Sequence, residues 1–98
     1  MHIIHDLVLE NGVTVQHHEV MEVRFELGTN QISALVNSWV NTAARSDERP
    51  PVIVQNLELP FDPVQIAPMI IQADGNIPLA IYQAVIAMHF VGGTFHPN

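Results

Sequence analysis

Met21-Glu22-Val23-Arg24-Phe25-Glu26-Leu27 alternates apolar and charged residues without a break. Successive side chains of an extended chain point to opposite faces, so Met21, Val23, Phe25 and Leu27 share one face while Glu22, Arg24 and Glu26 share the other. The stretch reads as a strand with one buried and one wet face, the signature of an antiparallel sheet covered on one side.

Upstream, Glu10-Asn11-Gly12 lies between two runs of β-type residues, and Asn-Gly supplies the positive φ values of a type I′ hairpin turn. A hairpin with arms at about Ile3 to Leu9 and Val13 to Val15 is predicted, the second arm extending toward His17-His18. Downstream, Gly28-Thr29-Asn30 makes a second turn. Gln31 to Val40 then has two readings. Ile32, Leu35, Val36, Trp39, Val40, Ala43 and Ala44 follow helical spacing. Ile32, Ala34, Val36, Ser38 and Val40 share one face of a strand, and the run Val36 to Thr42 is made of indifferent helix formers, which tips the balance to strand.

Ser46-Asp47-Glu48-Arg49-Pro50-Pro51 is polar and ends in two residues without backbone donors, so it reads as an exposed loop. A further strand begins at Val52-Ile53-Val54 and ends at Pro60. Pro63 to Ala73 carries Pro68 at its middle and reads as irregular or broken. Asn76 is suited to cap a helix that tolerates Pro78 in its first turn, runs from Ile77 to Phe90 and stops at Gly92-Gly93. Its apolar residues surround it almost completely, so one sheet face is not expected to bury them all. The whole reads as a single α+β domain over residues 1–98, an antiparallel β-meander of about four strands with a C-terminal helix packed on it.

Composition bounds the function. The chain has 98 residues, 48% of them hydrophobic and 13% charged, with no cysteine. Disulfides and thiolate chemistry are thereby excluded, and an apolar surplus on so small a sphere implies association with other subunits. Three arginines, no lysine and ten acidic residues give a formal charge of -7, which repels a nucleic-acid backbone. Met1-His2-Ile3-Ile4-His5-Asp6 lacks the basic flank of a signal peptide, and Ile77 to Val91 is too short and too interrupted to span a bilayer.

Six histidines, His2, His5, His17, His18, His89 and His96, invite a metal reading. His17 and Glu19 are two apart and share a strand face, so they could supply two ligands of a 2-His-1-carboxylate site with His89 or His96 as the third. No HExxH accompanies them, and exposed or interface histidines are the preferred account. Ser33, Ser38 and Ser46 sit in no nucleophile elbow, and Gly92-Gly93-Thr94 lacks the lysine and following helix of a phosphate loop. No catalytic residue, cofactor, metal or small-molecule substrate is expected. Trp39, Arg45, Arg49, Ile81, Tyr82, Val85, Met88 and Phe90 are the candidate interface residues.

Taken in order, the hairpin at Leu9-Glu10-Asn11-Gly12-Val13, the alternating strand Met21 to Leu27, the Pro50-Pro51 loop and the late helix ending at Gly92-Gly93 resemble the small proteins that tailed phages and prophages encode near tail genes. The resemblance implies a structural role in a virion tail, tail fibre or head-tail junction, with synthesis in the bacterial host cytoplasm. Virion proteins and further copies of the chain are then the implied partners. The alternative is a small acidic inhibitor that covers a basic surface of a host protein, which requires the acids to gather on one face.

Overall fold

The computed structural model describes residues 1–26, 28–29, 31–59, 68, 71 and 74–97. The elements whose bounds fall within the described residues are, in order, β1 His2–Val8, β2 Thr14–Glu26, β3 Gln31–Trp39, α1 Thr42–Ser46, β4 Ile53–Leu59, α2 Ile77–His89 and β5 Thr94–His96. The expected α+β architecture is the one observed. The strands form one sheet in the order β4-β3-β2-β1-β5, with every neighbouring pair antiparallel, and α2 packs on it.

The first four strands are the expected meander, but the hairpin arm and the Met21 segment are one strand of 13 residues rather than two. A bulge between Val20 and Glu22 lets this long strand stay paired with β3 from His17↔Trp39 to Glu26↔Gln31. The Asn11-Gly12 turn forms with a different geometry from the one predicted. Gly12 has φ 84 and Asn11 does not join it in the left-handed region. The Leu9 carbonyl accepts from Gly12 N–H while Leu9 N–H donates to the Val13 carbonyl, which is the three-residue loop with a glycine bulge. Asn11 Oδ1 accepts from Val13 N–H at 3.0 Å and holds the loop closed.

Gln31–Trp39 is a strand. Pairing to β2 on one side and β4 on the other satisfies its backbone, and this outweighs the helical spacing of its apolar residues. The fifth strand was not anticipated. After α2 the chain turns at Phe90–Gly93, with Gly92 at φ 89, and Thr94–His96 pairs with β1 through Ile3↔Phe95. The Pro63 to Ala73 segment lies outside the described residues apart from Pro68 and Ile71.

The main core lies between the sheet and α2, where Ile3, Ile32, Ala34, Val36 and Leu59 meet Ile81, Tyr82, Ala84, Val85 and Phe90. Asn76 caps α2 by accepting from Leu79 N–H at 3.1 Å, and Pro78 falls in the first turn as expected. The helix buries one side and leaves Ile77 and Met88 exposed. Tyr82 reaches from α2 to the sheet, where its hydroxyl accepts from Val20 N–H and donates to the Met1 carbonyl, both at 3.0 Å. No helix among the described residues is long and apolar enough to cross a membrane.

Candidate functional site

Two places in the fold gather features beyond plain packing. The first is polar and lies at the start of α1. Asn41 caps this short helix, its Oδ1 accepting from Ala44 N–H at 2.8 Å. The cap sets Thr42 and Arg45 over β2, where His17 and Glu19 project from the same face. His17 Nε2 lies 2.8 Å from Glu19 Oε2, His17 Nδ1 lies 3.1 Å from Thr42 Oγ1, and Arg45 Nε–H donates to Glu19 Oε2 at 2.6 Å. A carboxylate can only accept, so the His17 Nε2 carries the hydrogen. Arg45 also stands 5.3 Å from the Trp39 ring centre, and His2 stacks on His17 at 4.3 Å.

Burial opposes ionisation of Glu19, yet the hydrogen bonds from His17 and Arg45 and the positive charge of Arg45 prevail and hold its carboxyl below the usual range. Beside these groups lies a cavity of about 290 Å³ lined by Met1, His2, His17, Glu19, Thr42, Arg45 and Ser46. Hydroxyl, imidazole and carboxylate follow one another here in a relay. What the relay does in this fold is to fasten α1 to β2: each of its partners belongs to one element or the other.

The His17–Glu19 pair expected from the sequence is therefore real, but its ring and carboxylate are engaged with each other and with Arg45. His89 lies elsewhere, with its ring nitrogen 2.7 Å from the Glu58 carbonyl, and His96 stacks on His2 at 4.9 Å. Among the described residues no three potential ligands converge as a metal site would need. The sequence names His2 only as one of six histidines and does not single out Thr42, because only the fold brings residues 2, 17 and 42 together.

His18, next in sequence, points to the opposite face and is wholly buried. Its Nε2–H donates to the His5 carbonyl at 2.7 Å, its Nδ1 accepts from Ser38 Oγ at 2.7 Å, and its ring stacks on Phe90 at 4.4 Å. Burial lowers its pKa and keeps it neutral, against the pull of the His5 carbonyl.

The second place is apolar. A groove of about 210 Å³ runs between the second half of β2 and the first turns of α2, lined by Val20, Met21, Glu22, Val23, Phe25, Ile77, Pro78, Ile81 and Tyr82. Met21, Phe25 and Ile77 are 54%, 55% and 52% exposed along it. The helix residues expected at an interface divide accordingly. Ile81, Tyr82 and Val85 are buried in the chain's own core because they are the side of α2 that faces the sheet, Phe90 is buried in the same core just after the helix, and Met88 stays on the surface. Trp39 is also buried, its indole N–H donating to the Arg49 carbonyl at 2.8 Å. Arg45 is engaged with Glu19, while Arg49 is exposed.

Among the described residues, the acids do not gather into one uniform face. Glu22 pairs with Arg24 and Glu58 lies across Ser33 from that arginine on the sheet surface, Asp6 is tied to Gln16 near the opposite end, and Asp47 and Glu48 follow α1. Compared with protein-family models, with curated proteins and with solved structures, the chain matches none.

Proposed function

We propose that this chain is a structural protein that acts through protein–protein contacts, with a place in the tail, tail fibre or head-tail junction of a tailed phage. The contact role is carried by one observation, the exposed apolar groove in which Met21 and Phe25 of β2 face Ile77 of α2. Uncovered side chains of this size along a strand are a recurrent mark of a binding surface. The polar cluster at His17 supports the same reading, since its groups are spent on joining α1 to the sheet. The phage setting rests on the resemblance of the sequence.

A photoreactive residue in place of Phe25 tests the proposal in intact assembled particles. The expected result is a protein–protein crosslink at that position and a fixed number of copies per purified particle. A chain that is absent from particles and forms no crosslink from position 25 would refute it.

A further inference from the structure

Among the described residues, the strand that bounds the groove has an open edge. β1 pairs with β2 from Val8↔Thr14 to Ile3↔His18 and goes no further, while β2 continues to Glu26 with β3 on its other flank. Tyr82 and Met1 close the edge at Val20, where the tyrosine hydroxyl takes the backbone N–H. Beyond that point, no described strand lies beside Met21–Glu26 on the side away from β3. An unpaired strand edge is a template for another strand.

We infer that the occupant of this edge is the same edge of a second copy, paired antiparallel about a two-fold axis at Val23. This rests on the contact reading above and names its partner. The sequence Met21-Glu22-Val23-Arg24-Phe25 is self-complementary in that register. Glu22 falls opposite the second copy's arginine and Arg24 opposite its glutamate, on the face away from α2. Val23 falls opposite its own equivalent on the face that carries α2, and Met21, the extra residue of the bulge between Val20 and Glu22, stands at the end of the contact, toward the second copy's phenylalanine. Both copies of α2 then lie on one side of a continuous sheet, and Ile77 and Pro78 flank the junction.

The neighbouring registers that keep both helices on one side fail on charge. Moving the axis to Glu22 sets two glutamates face to face; moving it to Arg24 sets two arginines face to face and each Glu22 against Glu26. Like charges directly opposite across strands are destabilising and opposite charges stabilising. The axis at Val23 is thus selected against its closest competitors. Within one chain Arg24 Nε lies 3.0 Å from Glu22 Oε1, with both side chains well exposed. The groups are already on one face and open to a partner. An isologous contact of this kind closes on itself and yields a dimer instead of a fibre.

Sedimentation equilibrium with charge exchange tests the register. The wild-type chain is expected to dimerise. Arg24→Glu turns two attractions into two repulsions and is expected to weaken the dimer by about tenfold or more, while Glu22→Arg combined with Arg24→Glu restores it. Because the chain has no cysteine, Val23→Cys supplies an independent readout. Mild oxidation should link two copies through position 23, and Glu22→Cys should link far less. A dimer indifferent to Arg24→Glu, or one that links no better through position 23 than through 22, overturns the register and leaves the contact reading standing. A monomeric wild type whose position 25 still crosslinks to another protein overturns self-pairing alone. A monomer without that crosslink overturns both.

Discussion

At the scale of single residues, the two histidines at the centre of β2 have opposite environments although they are neighbours. His17 faces Thr42 and Glu19, whereas His18 is sealed beneath Phe90 with both ring nitrogens engaged. Their different fates follow from the alternation of a strand, and the pairing of His17 with Glu19 was legible from the same rule. The identity of the third and fourth members was not, because Thr42 and Arg45 arrive from a helix whose position depends on the fold. The pH dependence of stability follows from these environments. His18 has a folded pKa below its unfolded value near ~6.5, so the unfolded chain takes up the proton first and stability falls as pH drops below that value. Glu19 has a folded pKa below its unfolded value near ~4.3, so its contribution is present above that pH and is lost as pH falls through the folded value. Urea unfolding should therefore show a first decline below about pH 6.5 and a second below about pH 4.3. Glu19→Gln is expected to keep the first and lose the second. A stability that is level from pH 7 to pH 5 would contradict the assignment of His18 as a neutral buried group.

At the scale of elements, α1 is held by its ends. Asn41 caps the start, and the finish is a Schellman arrangement in which Arg49 N–H donates to the Ala44 carbonyl and Glu48 N–H to the Arg45 carbonyl. This closure requires a left-handed residue, and Glu48 occupies it with φ 58 where glycine is usual. Glu48→Gly removes the strain of a side chain in that conformation. It should raise stability by roughly 0.5–1 kcal/mol in chemical denaturation, less whatever entropy the glycine adds to the unfolded chain. A loss of stability would mean that the Glu48 side chain makes a contribution larger than its strain. The same loop docks on Trp39 through the Arg49 carbonyl, which is why a residue expected at an interface is found covered. Elsewhere, strands and α2 were readable because alternation, the Asn-Gly turn and the Asn76 cap act locally. The short helix Thr42–Ser46 and the strand Thr94–His96 were not, since five and three residues carry too little periodicity to register. β5 also depends on a close approach, for a Cβ on Gly93 would stand 2.8 Å from the Phe90 carbonyl oxygen and 3.1 Å from Ile3 Cγ2. No pattern in the sequence announces that proximity.

At the scale of the whole molecule, the question is how a 98-residue chain with a formal charge of -7 tolerates exposed apolar residues. Net charge keeps copies apart at long range and opposes unspecific clustering. A contact that is to form must then be favourable locally, which an alternating Glu22–Arg24 edge supplies in one register and denies in its neighbours. Association of folded copies alone couples to stability by mass action. Each unfolding event releases chains from the dimer, so dilution lowers the melting temperature. Over a hundredfold range of concentration above the dissociation constant, the effect is about 2.7 kcal/mol per dimer, or roughly 1.4 kcal/mol per chain. For a domain of about this length, 1 kcal/mol moves the melting temperature by roughly 4–8 °C. A rise of about 5–10 °C is therefore expected for the wild type. Arg24→Glu should match the wild type at the dilute end and stay level until the concentration exceeds its own weaker dissociation constant, so that its rise over the same range is about half that of the wild type or less, because its exposed intrachain pair adds little by itself. A level wild-type curve, or an Arg24→Glu curve that rises in parallel with it, would place the basis of stability within the single chain and leave the β2 edge without its partner.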